Sequence, residues 1–335
     1  MLAGTAILAC TEERTNGSIA FISLSFDPPS ADLYLTMPDG SGLRQLTNGL
    51  LVASVPVWSP DGKYIAFSTR DIDERDLYVL DVDRGDLRRL TDGLWVDFPS
   101  WSPDGRLIAF GSYEGGYVKN QADLESAVGV LRIVDVTTGE NRVLLGDLGK
   151  SVLPRWSPDG KSIAFTQQDS VRGDWDAYVV RSDGTALQKL MDNPENDGLP
   201  NWSPDSTVMV FESFRNNSPS IYVVNADGSG LRPLVDAVGS GPAWSPDGKS
   251  VSFTSFHRTG AEIAIVDSDG TNLRELTNGT KGVDAQAAWS PDGRTIAFTS
   301  EGDGNVDLFV MDTRGKGVKR LTDDSLREVS PTWRP

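Results

Sequence analysis

From Val55 the chain moves between apolar and polar positions in short bursts, with a period near two rather than the 3.6 of an amphipathic helix. Val55-Pro-Val-Trp58 reads as a short apolar strand and Ser59-Pro-Asp-Gly62 as a turn. Proline suits the first central position of such a turn, and glycine suits the left-handed position that follows. Tyr64–Ser68 is a second strand, and after a polar loop Asp76–Asp81 is a third. Asp83-Arg-Gly-Asp86 turns the chain into Leu87–Thr91, whose alternation is that of a half-exposed outer strand. We denote these positions A to D; each is about the mean length of a strand.

The same four positions recur along the whole chain. Trp-Ser-Pro-Asp-Gly or a close variant begins at Trp58, Trp101, Trp156, Trp202, Trp244 and Trp289, and Pro331-Thr-Trp333 repeats its start; the intervals are 43, 55, 46, 42, 45 and 44 residues. That period belongs to propeller blades or solenoids. B-type segments (Ile19–Phe21 to Ile296–Phe298), C-type segments (Leu33-Tyr34 to Leu308-Phe309) and D-type segments (Leu43–Thr47 to Val318–Thr322) each number seven. The series opens on a B strand and ends on an A strand, so the seventh unit combines Ile19–Thr47 with the segment around Trp333. A ring completed from both ends leaves no open sheet edges, whereas a solenoid carries capping repeats. The expected fold is all-β: a closed seven-bladed β-propeller over residues 18–335, four antiparallel strands per blade, preceded by residues 1–17. A tryptophan wedged between sheets buries about 200 Å², roughly 5 kcal/mol of transfer energy. Its presence in every unit assigns it to structure, and the aspartate of the turn likewise.

Trp-Ser-Pro-Asp-Gly-Lys-x-Ile-Ala-Phe, Asp-Leu-Tyr-Val-x-Asp and Leu-Arg-x-Leu-Thr together resemble the WD-like propeller repeat of the TolB family, over residues 18–334. The resemblance implies a TolB-like propeller in the bacterial envelope, since TolB is the periplasmic component of the Tol–Pal system. TolB carries an amino-terminal α/β domain and six blades; here the reading is seven blades without that domain. Similar repeats occur in the propellers of prolyl oligopeptidase-type peptidases and of oligogalacturonate lyases.

A net charge of −17 excludes a phosphate backbone as partner. The lone cysteine, Cys10, rules out an intrachain disulfide. Cys10 ends Ala6-Ile7-Leu8-Ala9-Cys10 and resembles a lipidation site, so residues 1–17 are expected to be a lipoprotein signal remnant and linker, although no Lys or Arg precedes the apolar run. Membrane contact is expected only through that anchor, because no stretch reaches the length of a spanning helix. The protein is expected outside the cytoplasm, as a monomer.

Most catalytic signatures are missing from the sequence. There is no Gly-x-Ser-x-Gly, and His257 is the single histidine, too few for the metal set of the lyases or for a zinc site. Gly-Lys-Ser at Gly160 and Gly248 lacks the upstream glycine of a phosphate loop. Glu301–Asp307 spaces oxygens somewhat as a calcium loop does but lacks its central glycine and closing glutamate. No catalytic residue, cofactor or metal is assigned.

The A–B and C–D turns are uniform and lie on one side of the disc; the B–C and D–A loops break the repeat and lie on the other. Variable loops are the expected contact surface for a protein or peptide. Aromatic residues and arginine, enriched at binding hot spots, map there: Trp95, Phe98, Tyr113, Tyr117, Trp175, Phe214, Arg215 and Phe256, with His257 beside them. The approaches to strand A carry Asp97, Asp197, Asp284 and Glu328, with Arg155 and Gln286, as channel-mouth candidates. An acidic rim there suits a cation or a basic peptide, against a plain solvated rim. The sequence therefore points to a non-catalytic interaction module; the alternative is a glycan- or small-ligand-binding, or carbohydrate-active, propeller that uses the channel mouth.

Overall fold

The computed structural model describes residues 17–69, 75–114, 128–146, 148–149, 153–168, 172–191, 195–198, 200–215, 218–278, 282–302 and 304–335, and among them the regular elements are all strands. Cys10 and Tyr117 lie outside the described residues, as does the side chain of Asp97.

The chain opens with β1 (Ile19–Phe26), β2 (Pro29–Thr36) and β3 (Arg44–Gln45), paired in that order. Four-stranded antiparallel sheets follow: β4 (Val57–Trp58), β5 (Tyr64–Ser68), β6 (Leu77–Asp81) and β7 (Leu87–Arg89); then β8 (Val96–Trp101), β9 (Leu107–Glu114), β10 (Val128–Asp135) and β11 (Asn141–Leu145); then β12 (Arg155–Trp156), β13 (Ser162–Gln168), β14 (Trp175–Arg181) and β15 (Gln188–Lys189). After β16 (Asn201–Trp202), β17 (Val208–Ser213) and β18 (Ser220–Asn225), the 13-residue β19 (Arg232–Trp244) pairs first with β18 and then with β20 (Ser250–His257), continuing into β21 (Gly260–Asp267) and β22 (Arg274–Glu275). The series ends with β23 (Asp284–Trp289), β24 (Thr295–Gly302), β25 (Asn305–Asp312) and β26 (Lys319–Arg320), and with β27 (Arg327–Trp333), which pairs antiparallel with β1 and sets Trp333 opposite Ile19.

Each A–B turn is locked by its own side chains. Ser59 Oγ donates to Asp61 Oδ1 (2.7 Å), the Lys63 amide donates to the same oxygen (3.1 Å), and the Tyr64 amide donates to Ser59 Oγ (2.9 Å), while Gly62 takes φ +68°. The serine hydroxyl is the largest influence holding Asp104, Asp159, Asp205, Asp247 and Asp292 below the usual carboxylate range. The aspartate is thus a turn former.

An acid at the start of the C-type strands does similar work inside the sheets. Thr47 Oγ1 donates to Asp32 (2.8 Å) and accepts from the Leu33 amide (2.9 Å). Thr91 with Asp76, Thr277 with Glu262 and Thr322 with Asp307 repeat this arrangement. These buried carboxylates satisfy the hydroxyls and bring polar atoms under the loops without stranding them.

The hydrophobic core lies between neighbouring sheets. One cluster joins Ile22, Leu33 and Leu35 of β1 and β2 to Trp58, Ile65 and Phe67 of the next sheet. In five sheets the phenylalanine of the second strand stacks or tilts against the tyrosine or phenylalanine of the third, as in Phe165–Tyr178 at 5.6 Å; Phe110 and Phe253 instead face Arg132 and Ala264.

Two series of polar stitches run from sheet to sheet. The tryptophan Nε1 donates to the carbonyl that precedes the tryptophan of the sheet before it: Trp101 to Val57 O (3.0 Å), Trp202 to Arg155 O (3.1 Å), Trp244 to Asn201 O (3.1 Å) and Trp333 to Ala288 O (2.9 Å). Trp58 reaches Thr332 O of β27 (3.3 Å) in the same way. Trp156 breaks the series, for its buried Nε1 has no hydrogen-bond partner among the described residues. On the outer side, Arg44 donates to Val82 O, Arg88 to Val136 O, Gln188 to Asp227 O, Arg232 to Ser268 O, Arg274 to Thr313 O and Lys319 to Asp39 O. The outer strands are short and charged, which discourages edge-to-edge pairing.

Candidate functional site

The starts of the A-type strands meet the preceding sheet through isolated parallel bridges, Arg75 with Trp95 and Ala261 with Val283. These bridges gather residues that are remote in sequence onto the loop side. Asn196 joins two of them: its Oδ1 accepts from the Trp175 amide (3.0 Å) and its carbonyl accepts from the Phe214 amide (3.0 Å). Ser220 lies opposite Val238, Gly239 opposite Ser255, and Phe256 opposite Ala261, which in turn bridges Val283. The backbone therefore carries Trp175, Phe214, Val238, Phe256 and Val283 along one arc. Phe214, Val238, Phe256 and Val283 are 37–40% exposed. The continuous β19 contributes to this, since its uninterrupted course leaves no long loop over Val238.

His257 sits at the edge of the arc, with Nε2 2.7 Å from Glu275 Oε1 and both side chains almost half exposed. Glu275 and Asp284 also line a cleft of about 560 Å³, together with Ser300 and Glu301.

Other candidates are committed to the interior. Tyr113, expected on the contact surface, is buried within β9 opposite Gly129, because the strand runs on past the point where the sequence suggests a loop. Arg215 is likewise turned inward: its Nη2 donates to Asp197 Oδ1 (3.0 Å), its Nε donates to Ser213 Oγ (2.7 Å), and its guanidinium lies 4.6 Å over the Tyr222 ring. Trp95 is half-buried beneath Arg75, which stacks on it at 5.1 Å. Trp175 is half-buried as well.

The expected acidic rim is not solvated. Asp197, Asp284 and Glu328 are all buried, and Asp197 is neutralised by Arg215. Glu328 accepts from Ser23 Oγ (3.2 Å) through Oε1, whereas Oε2 has no hydrogen-bond partner among the described residues; burial, with Asp324 and Asp307 nearby, pushes its carboxyl up to about 8. Gln286 is exposed and takes φ +57°, and its Oε1 accepts from the Ser330 amide (2.8 Å). Phe98, Gly241, Gln286 and Ser330 each stand three residues before their tryptophan, and all adopt positive φ. For a residue as bulky as Phe98 such a backbone is strained. Sequence spacing from the tryptophan marks this position, but only the register break beside it reveals the bulge.

Arg155 stands immediately before Trp156 on β12, half-buried, and among the described residues its guanidinium has neither hydrogen bond nor ion pair. Burial alone pulls it down to about 10.

A family model described as the TolB beta propeller domain matches residues 7–122, 121–240 and 235–335. Among curated proteins, the TolB homolog of Chlorobium luteolum is 38% identical over 77 residues, 23% of this chain and 17% of that protein's length. The crystal structure of TolB from Acinetobacter baumannii superposes with a TM-score of 0.60 at 20% identity, covering 94% of this chain and 81% of that one. An oligogalacturonate lyase from Vibrio parahaemolyticus gives a TM-score of 0.71 at 16% identity over 87% of this chain and 85% of that one. At these identities the structural likenesses establish the fold.

Proposed function

The chain belongs to the TolB beta propeller domain family, and from that membership we propose a closed propeller of seven four-stranded blades that acts as a non-catalytic, extracytoplasmic docking module for a protein or peptide. The pairing of β27 with β1 and the hydrogen bond from Trp58 to Thr332 support closure. The A-type strands then surround an axial channel, and residues 18–335 form the ring. The docking face is the side of the B–C and D–A loops. The observation that carries this reading is the exposed apolar arc of Phe214, Val238, Phe256 and Val283. Its residues come from three successive blades, so a partner laid across them contacts a surface that no single repeat possesses. Aromatic anchors carry much of the energy in protein interfaces, and Phe214 and Phe256 are the aromatic members of the arc. The single histidine, engaged with Glu275, supports the non-catalytic assignment.

The test replaces Phe214, Val238 and Phe256 together by Ala and compares recovery of partners from an envelope extract. Loss of a partner that wild type captures, at unchanged melting temperature, supports the assignment; equal recovery overturns it. Membership of the envelope rests on the resemblance to TolB, and lipidation of Cys10 would appear as an acyl mass on protein extracted from membranes.

A second reading has its own observation. The cleft beside His257 carries Glu275, Asp284 and Glu301, an acidic lining suited to a glycan or other small polar ligand. Melting-temperature shifts with neutral oligosaccharides, lost in Asp284→Asn, would favour it over the protein partner.

A further inference from the structure

Side chains immediately before each A-strand tryptophan belong to the innermost strands. Val57, Asn201, Ala243, Ala288 and Thr332 occupy this position, half-exposed although they lie near the middle of the ring, so they face the channel. Ser100 stands at the same position and accepts from the Trp156 amide (3.0 Å). All six are neutral. Arg155 is the charged member of the set.

Several arginines elsewhere in the chain are employed. Arg44, Arg88, Arg232 and Arg274 donate to carbonyls of the following sheet, and Arg89, Arg215 and Arg320 pair with Asp76, Asp197 and Asp307. Arg155 lacks a counterpart among the described residues, and no acid's charge acts on its titration. The acids at the mouth cannot reach it: Asp197, Asp284 and Glu328 precede their tryptophans by five residues, four beyond the level of Arg155, or about 13 Å along an extended strand. A half-buried guanidinium without a partner is costly to the free protein. In a chain of net charge −17 the supply of internal carboxylates is ample, which makes the vacancy a property of this position.

We propose that the axial channel holds a carboxylate-binding site centred on Arg155. The guanidinium fork matches a planar carboxylate in a bidentate arrangement. Neutral neighbours supply no second positive charge, so a monoanion is matched and a phosphate dianion is left half-neutralised. Asn201 Nδ2 already donates to Pro242 O (2.8 Å), leaving its carbonyl oxygen and the Thr332 hydroxyl to meet the remaining polar atoms of the ligand. The small side chains at Ala243 and Ala288 leave room for the group to which the carboxylate is attached. That carboxylate belongs either to a free small acid or to the end of a peptide chain threaded into the channel.

The experiment uses the full chain as wild type, Arg155→Met and Arg155→Lys, with sodium acetate, trialanine bearing a free carboxyl terminus and trialanine amide, all against sodium chloride at matched ionic strength. A ligand that binds the native state alone raises the melting temperature. Wild type is expected to respond to one or both free acids at tens of millimolar and not to the amide. Response to acetate assigns a small acid, and response to trialanine alone assigns a peptide end. Arg155→Met should melt higher than wild type without ligand and respond to neither acid, while Arg155→Lys should bind about tenfold or more weakly. A response retained in Arg155→Met, an equal response to the amide, silence of wild type towards both acids, or a lower melting temperature of unliganded Arg155→Met each overturns the proposal. The loop-side alanine variants leave Arg155 in place, so the docking face and the channel site fail separately.

Discussion

Trp101 and Trp156 occupy the same place in adjacent sheets, yet their replacement by phenylalanine should have opposite polar consequences. Both rings are almost fully buried, at 6% and 9% exposure. Either substitution removes the pyrrole portion and leaves a similar small void, a shared cost of about 1–2 kcal/mol. Trp101→Phe additionally deletes the 3.0 Å bond to Val57 O, worth about 1 kcal/mol and more if the carbonyl is left dry. Trp156→Phe deletes a buried N–H that has no partner among the described residues, relieving a desolvation penalty of about 1–3 kcal/mol. The two variants should therefore differ by about 2–4 kcal/mol, with Trp156→Phe the more stable.

For a chain of 335 residues the unfolding entropy is about 0.7 kcal/mol/K, so that difference corresponds to about 3–6 °C in melting temperature. Differential scanning calorimetry reads it directly, and denaturant midpoints at unchanged slope guard against altered cooperativity. Equal melting temperatures for the two variants would falsify the stitching role of the tryptophan N–H and reduce these residues to apolar wedges.

Three further outcomes follow from the same geometry. Burial raises Glu328 from its ordinary 4.5 to about 8, so between those values the folded state binds more protons than the unfolded state and stability falls as pH rises; Glu328→Gln should melt with wild type near pH 4.5, exceed it at pH 8, and show a flatter profile in a pH series of thermal melts. Asp76 is buried against Thr91 and Arg89, and Asp76→Ala should cost about 2–4 kcal/mol by urea denaturation, well above the same change at exposed Asp92. Gln286→Ala strips the acceptor from the Ser330 amide on the exposed bulge and should cost about 1 kcal/mol or less, because water replaces the lost bond.

What the sequence discloses, and what it conceals, follows from range. The tryptophan spacing and the Ser-Pro-Asp-Gly turn are local, and their hydrogen bonds close within five residues, so strands and turns could be placed from the chain alone. The pairs of an acid with a threonine were also within reach: Asp32 and Thr47, Asp76 and Thr91, Glu262 and Thr277, and Asp307 and Thr322 each stand 15 residues apart, a regular spacing between the third and fourth strand positions of a repeat. Tyr113 and Arg215 were beyond reach for a different reason. Whether a side chain after the second strand faces solvent depends on how far that strand extends, and β9 runs to Glu114 whereas β17 stops at Ser213. Asp197 and Arg155 make the point in charge. Both stand on the approaches to a tryptophan and both look like rim residues, yet one is neutralised by an arginine 18 residues away and the other has no ion-pair partner among the described residues. In a chain built by repetition, residues that serve the ring recur and find partners supplied by the repeat itself. A side chain that departs from its position's pattern, and for which the repeat supplies no counterpart, is held at a cost to the free ring; at Arg155 that cost is recovered only when something from outside brings the missing charge.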